Sequence, residues 1–364
     1  MRLFHIMRTT IYILFVISLF SCASDDSISQ VGETTGSTIY FPPIDSNFWE
    51  TKTINAAEWN DNELQPLLDY LEEKNSKGFI MLHNGKIVVE HYMNGHTDVS
   101  PWYWASAGKT LTSAVAGIAQ NEGLIDINNP VSDYIGIGWT SLTLEKENLI
   151  SCKNLLSMNS GLDDTLGDSV SPENLQYISD AGARWAYHNV YVKMQDVVAE
   201  ASNQTWINFY NSVLRDPIGM TGSWISLGDL SVYWSTTRSM ARFGLLISAN
   251  GKWEDTQIIS ELYLNEATNT SQTINEAYGY LWWLNGKSTF HLPMTQLEFN
   301  GSLISTGPND MYAALGKNDQ KIYIVPSKNL VVVRMGEVAS PEKPTFGLSG
   351  FDNELWEKIN LVIN

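Results

Sequence analysis

Four residues, Ser106-Ala107-Gly108-Lys109, with the run that follows them, restrict this chain more than any other stretch. Leu111, Ala114, Val115, Ala116, Ile118 and Ala119 are apolar and mostly small. That pattern predicts the first turns of a buried helix. Positions i and i+3 share a helix face, so the Ser106 hydroxyl and the Lys109 amine are expected to meet. Burial disfavours an ammonium, lowers the lysine pKa and frees a lone pair to take a proton. A serine beside such a lysine is an activated nucleophile, and the helix N-terminus favours negative charge developing there. Trp102, Tyr103 and Trp104 lead into the helix and are expected to wall off water. Gly108-Lys109-Thr110 resembles the end of a phosphate-binding loop, but that loop needs a glycine where Tyr103 stands. A bulky aromatic there would keep backbone amides from wrapping phosphate.

The 364 residues are 43% hydrophobic, enough for one large core or two sub-domains. A net charge of −18 repels nucleic acid and anionic membrane surfaces, so neither is an expected partner of the body of the protein. Residues 1–21 read as a targeting segment: Arg2 and Arg8 form a basic start, and Ile11 to Phe20 is an apolar run too short to span a bilayer. Leu19-Phe20-Ser21-Cys22 resembles a bacterial lipobox, with Phe20 where a small residue is usual. That resemblance implies lipidation of Cys22 and a lipid-anchored protein of the cell envelope, periplasmic or outer-membrane. With Cys22 used as an anchor, Cys152 has no disulfide partner, and its apolar flanks make it a core residue.

Residues 22–47, rich in Ser, Gly, Thr and Asp at their start, are expected to form a flexible tether, and 48–364 one catalytic domain. Leu64, Leu67, Leu68 and Leu71 predict a helix over Glu58–Lys74. Phe79–Leu82 and Ile87–Val89 flank Asn84-Gly85 and predict a β-hairpin. Residues from about 110 to 280 read as helices and loops, including one helix opening at Asn154 and another over Met240–Ala249. Strand character returns at Lys321–Val325 and Leu330–Met335, and Asn353–Ile363 closes the chain as a helix. Strands at both ends with helices between them predict an α+β fold: an αβα sandwich, mainly antiparallel, with an all-helical sub-domain.

A serine–lysine nucleophile also needs a proton shuttle and donors for an oxyanion. Tyr187 can relay a proton, and Asn189, two residues on, can bond a substrate carbonyl or the lysine. His188 between them reads as a loop histidine. In Tyr312-Ala313-Ala314-Leu315-Gly316-Lys317, small residues let a strand edge approach a ligand. Such an edge can offer the Lys317 N–H to an oxyanion opposite the Ser106 N–H.

Together these segments resemble the serine β-lactamase and penicillin-binding-protein superfamily, with the nearest look to class C β-lactamase-like esterases and 6-aminohexanoate-dimer-hydrolase-like proteins. The resemblance covers about residues 75 to 340. It rests on S-x-x-K at Ser106–Lys109, Y-x-N at Tyr187–Asn189 and a third box at Ala314-Leu315-Gly316, in that order. Leu155–Leu162, Tyr278–Trp283 and Ile324–Ser327 share it. It implies Ser106 as nucleophile, Lys109 as base or activator, Tyr187 as base and proton shuttle, and Asn189 as a substrate-positioning residue. The Ser106 and Lys317 amides would form the oxyanion hole. Either Lys109 or Tyr187 takes the first proton; the sequence leaves both open. The third box usually carries a cation, which in β-lactamases and D-Ala-D-Ala peptidases faces a substrate carboxylate; here Ala314 stands in its place. Lys317 is expected to point away from Ala314, because side chains alternate along a strand.

No G-x-S-x-G elbow, H-E-x-x-H or G-x-G-x-x-G occurs. The expected protein is an envelope serine hydrolase of small esters or amides, working through an acyl-enzyme with no metal or cofactor. The alternatives are β-lactamase or D-Ala-D-Ala peptidase activity, or an inert fold-mate that binds peptidoglycan or a glycan.

Overall fold

The computed structural model describes residues 39–340 and 350–364. In chain order the elements that frame the site are α1 (Leu64–Glu73), β1 (Ser76–His83), β2 (Lys86–Tyr92), β3 (Trp102–Tyr103), α2 (Lys109–Asn121), α3 (Cys152–Leu156), α4 (Tyr191–Ser202), β4 (Ser223–Leu227), β5 (Leu230–Ser235), α5 (Thr237–Ser248), β6 (Trp283–Leu284), β7 (Tyr312–Gly316), β8 (Gln320–Val325), β9 (Leu330–Gly336) and α6 (Gly350–Ile363). The main sheet runs β2-β1-β9-β8-β7-β6 with every pairing antiparallel, so strands from both ends of the sequence meet at its centre. The predicted hairpin is β1–β2. Asn84 and Gly85 carry the two positive φ angles, 52° and 80°, that a two-residue turn matched to strand twist requires.

Helices cover both faces of this sheet, as the period-2 alternation of strands dictates. On one face α5 lies so close that a Cβ on Gly244 would sit 2.5 Å from Val331 Cγ1 and 3.3 Å from Ile322 Cγ2. On the other face the neighbouring side chains Lys321 and Tyr323 reach Asp352 of α6, at 2.9 and 2.6 Å. The expected apolar strand Lys321–Val325 thus hides a buried charge cluster. Lys321 also pairs with Asp319 at 3.2 Å, and Arg334 is wholly buried. Burial lowers the Arg334 pKa to about 10, and its guanidinium donates to the carbonyls of Asn318, Asp319, Lys74 and Glu337.

α2 is buried from Lys109 to Ala119. A helix enclosed on all sides must be the centre of its layer. Gln195 of α4 donates to Thr112 at 3.0 Å, and Tyr263 donates to the Ser113 carbonyl at 2.9 Å. Four expectations shift. The helix expected over Glu58–Lys74 is confined to α1, Leu64–Glu73, because Glu58 has left-handed backbone with φ 62°. Ser106 does not open α2; it lies in a 3-10 turn, Ala105–Gly108, that leads into the helix. The serine and lysine still meet, because side chains at i and i+3 eclipse in 3-10 geometry. The helix expected at Asn154 opens at Cys152, since Ser151 caps it reciprocally with Asn154. The region expected to be helices and loops also contains a sheet, β3-β5-β4, whose hairpin turns at Gly228 with φ 61°. Cys152 is buried as expected, and burial pushes its thiol up to about 12.

Cys22 and the targeting segment lie outside the described residues, as do residues 22–38 of the expected tether. Residues 39–47 lie against the domain: the Tyr40 N–H donates to the Asn84 carbonyl at 3.0 Å, and the Arg242 guanidinium donates to the carbonyls of Pro43 and Ser46. No helix among the described residues is long and apolar enough to cross a membrane.

Candidate active site

Ser106, the candidate nucleophile, is presented by the junction between the two sheets. Trp104, fully buried, follows β3; its N–H donates to the Tyr233 carbonyl at 2.8 Å and its indole to Ser235 Oγ at 2.8 Å. Ala105 then turns the chain with φ 47°, an uncommon conformation for a residue with a Cβ and one that the anchored Trp104 enforces. Ser106 emerges half-buried at the head of the turn.

Lys109 Nζ lies 2.8 Å from Ser106 Oγ and donates to Asn189 Oδ1 at 3.2 Å. The Tyr187 and Tyr191 rings stand 5.2 and 4.7 Å from the same nitrogen. Only 3% of Lys109 is exposed, and this burial drives its pKa from 10.5 down to about 7, with the negative charge of Asp168 acting in opposition. Burial pushes the Tyr187 phenol up to about 12, with side-chain hydrogen bonding to Ser106 and Trp283 pulling the other way. The two candidates for the first proton therefore separate. An amine near 7 is matched to neutral pH as a base, whereas a phenol near 12 is an acid that keeps its proton. His188 is buried and neutral: burial first, then the charges of Lys109 and Arg184, holds it down to about 3, and its Nε2 lies 3.4 Å from Ser160 Oγ.

The third segment closes on the same turn. β6 pairs with only Tyr312 and Ala313, so beyond Ala313 it does not cover the β7 edge. A Cβ at Gly316 would sit 2.4 Å from the Trp104 carbonyl oxygen and 3.0 Å from the Ala107 nitrogen. Any side chain there would push the strand off the nucleophile turn, which is why glycine stands at this close approach. Lys317 follows, exposed, and opens the 3-10 turn Lys317–Asp319. Asn318 donates to the Tyr103 hydroxyl at 2.7 Å, so the third segment is tied to β3 as well as to the Arg334 guanidinium beneath it. Ala314 is 1% exposed and pairs with Ile322, on the face that carries α5. It brings no charge to the site.

Thus Ser106, Lys109, Tyr187 and Asn189 come together, with Gly316 packed against the turn that bears Ser106. Three residues around them were not read from the sequence. Tyr191, the first residue of α4, supplies a ring over the amine, and its hydroxyl donates to the Ser231 carbonyl at 2.6 Å. Trp283 packs at 5.5 Å on Tyr187; it was legible only as part of the Tyr278–Trp283 resemblance. Asp168 accepts from Asn189 Nδ2 at 3.0 Å and comes from a loop without any periodic pattern.

Comparisons with known proteins bear on the fold and the family. No curated protein matches the sequence. Among solved structures, a candidate 6-aminohexanoate-dimer hydrolase from Bacillus anthracis aligns with TM-score 0.67 at 17% identity, covering 89% of this chain and 88% of its own. A candidate β-lactamase from Bacteroides dorei DSM 17855 aligns with TM-score 0.67 at 15% identity, over 84% and 99%. A family VIII carboxylesterase aligns with TM-score 0.62 at 15% identity, over 81% and 96%. At these identities the likeness speaks for the fold. The β-lactamase family profile matches residues 74–347, three-quarters of the sequence, and with the S-x-x-K pair in contact inside that span, the chain belongs to the β-lactamase family of serine hydrolases.

Proposed function

We propose that this protein is a lipid-anchored hydrolase of the cell envelope that cleaves small neutral esters or amides through an acyl-enzyme on Ser106. The observation that carries the reading is the 2.8 Å contact between the Ser106 hydroxyl and a buried lysine whose amine sits near pKa 7. Neutral Lys109 takes the Ser106 proton as Oγ attacks the substrate carbonyl. The backbone amides of Ser106 and Lys317 receive the developing oxyanion. As the carbonyl re-forms, the bond to the leaving alcohol or amine breaks, and Tyr187 supplies that group's proton; the Lys109 ammonium then returns a proton to the phenolate. In the second half water attacks the acyl ester and gives its proton to the same amine; the bond from Oγ to the acyl carbon then breaks as the Lys109 ammonium returns that proton to Oγ, which releases the acid and restores Ser106 and neutral Lys109.

The substrate class rests on Ala314. A cation in its place would pair with a substrate carboxylate, worth about 1.5–3 kcal/mol or roughly ten- to a hundredfold in binding. Tyr187, partly exposed and backed by the buried rings of Trp185, Trp283 and Tyr278, offers an apolar face that favours an uncharged acyl group instead. The carboxylesterase among the similar structures supports the ester reading.

The test has three parts. An alkyl fluorophosphonate should label Ser106 by mass spectrometry, and Ser106→Ala should abolish both labelling and turnover. Absence of labelling in the wild type would identify an inert fold-mate. kcat/KM for p-nitrophenyl acetate or butyrate should exceed that for nitrocefin, and Ala314→Lys should shift the ratio toward nitrocefin; a faster nitrocefin reaction means that another residue holds the carboxylate. Wild-type protein should partition with membranes and Cys22→Ser should not, since an acyl chain is the only hydrophobic anchor proposed.

A further inference from the structure

One charged group near the amine is not explained by the acyl-enzyme scheme. Asp168 is exposed, yet its position is fixed from several directions. The Asn189 amide Nδ2 donates to its carboxylate Oδ1 at 3.0 Å and to its backbone carbonyl at 3.3 Å. The next residue, Ser169, donates to the Asp229 carboxylate at the turn of the β4–β5 hairpin. Val170 is buried, and four residues upstream of Asp168 the buried Asp164 pairs with Arg184 at 2.7 Å. The segment 164–170 is thus held at both ends and bonded to Asn189 between them.

This arrangement decides which way Asn189 faces. An asparagine amide can rotate by half a turn, exchanging acceptor for donors with almost no change in shape. With its NH2 on Asp168, only the carbonyl oxygen is left for Lys109, and that is the 3.2 Å contact observed. The reverse orientation would set two oxygens against each other at Asp168 and two donors against each other at the amine.

We propose that Asp168 is a positioning residue for the catalytic amine: it holds the Asn189 carbonyl toward Lys109 and keeps a fixed negative charge one side chain away. The inference rests on the serine-hydrolase reading above. When Lys109 takes the Ser106 proton, the ammonium that forms meets the Asn189 carbonyl dipole directly and the Asp168 charge behind it. The other groups that face the amine are Ser106 from the 3-10 turn, Tyr187 and His188 from the loop before α4, and Tyr191 from α4 itself. Tyr187 is up at about 12, His188 down at about 3, and Tyr191 raised by burial, so none of these three changes charge between pH 5 and 9. Any movement of the acid limb in that window on altering Asp168 is therefore read through Lys109.

The experiment compares wild type, Asp168→Asn and Asp168→Ala by the rate of fluorophosphonate labelling of Ser106 and by kcat/KM for p-nitrophenyl butyrate from pH 5 to 9. Removing the charge should let the amine lose its proton at lower pH. The acid limb should move down by about half a pH unit or more in both variants. Asp168→Ala also removes the carboxylate acceptor and should lower the plateau about tenfold, the low end of what a misplaced catalytic group costs. Asp168→Asn keeps an acceptor oxygen for Asn189 and should lose less. An unchanged acid limb in both variants, or equal plateau losses, overturns the proposal. If Asp168→Ala does not fold, the limb of Asp168→Asn decides alone. A wild type that neither labels nor turns over ester overturns the hydrolase reading instead, and the two failures are distinct.

Discussion

Lowering the pH through 7 should switch the proposed hydrolysis off at a single group. An amine at its ordinary pKa of 10.5 is neutral in only about one molecule in 3,000 at pH 7. With Lys109 near 7 that fraction becomes about one half, so burial raises the reactive form roughly a thousandfold. Between pH 8 and pH 6 the neutral fraction falls about tenfold, and kcat/KM for p-nitrophenyl butyrate should fall with it. Lys109→Arg keeps the charge but cannot shed a proton; it should lose about 10²–10⁴-fold and show no limb near 7. The same depression sets a stability signature. Between pH 7 and 10.5 the unfolded chain holds the lysine proton and the folded chain does not, so wild-type stability should rise with pH across that window. Below 7 the full cost of the buried ammonium is present. Lys109→Met removes it and should therefore melt higher than wild type at pH 6–7, by several kcal/mol, with the gap closing toward pH 10. A limb below pH 5, a limb retained near 7 in Lys109→Arg, or a Lys109→Met variant less stable than wild type at pH 6 would refute the reasoning.

Trp283→Phe deletes the indole N–H at Tyr187 while keeping an aromatic ring, and should lower kcat by about tenfold with little change in KM, as expected of a bond that matters when the phenol gives up its proton; steady-state kinetics on an ester series reads the split. Gly316→Ala places a methyl group where only 2.4 Å separates it from the Trp104 carbonyl oxygen, so the variant should fold but label at least tenfold more slowly with fluorophosphonate. Asp352→Asn leaves the buried Lys321 ammonium and Tyr323 hydroxyl without their shared carboxylate, and should cost about 3 kcal/mol or more in urea unfolding.

Much of the frame was legible because it is local. The Asn84-Gly85 turn, the β8 and β9 strands and the closing helix follow from residue types at short spacing. The serine and lysine share one turn of backbone, so their contact survived the replacement of an expected α-helical start by a 3-10 turn. Two kinds of error came from the same source. Lys321–Val325 was read simply as strand, with no sign that Lys321 is fully buried, because its partner Asp352 is 31 residues away in sequence. The β3-β5-β4 sheet was missed because β3 is two residues long and pairs with residues more than 130 positions later.

The sequence by itself determined which chemistry was available: one serine one turn from one lysine, a tyrosine and asparagine two apart, and an alanine where a cation might have been. Only the tertiary structure separates the proton affinities of Lys109 and Tyr187, the two candidates for the base. That depends on how completely Lys109 is removed from water and on which charges face it, and both are set by residues from α4, the 164–170 loop and β6 that no spacing rule connects. Proton affinity is a property of the environment rather than of the residue. The environment of this amine is assembled from segments spread over more than 170 residues, and it exists only once the chain has folded.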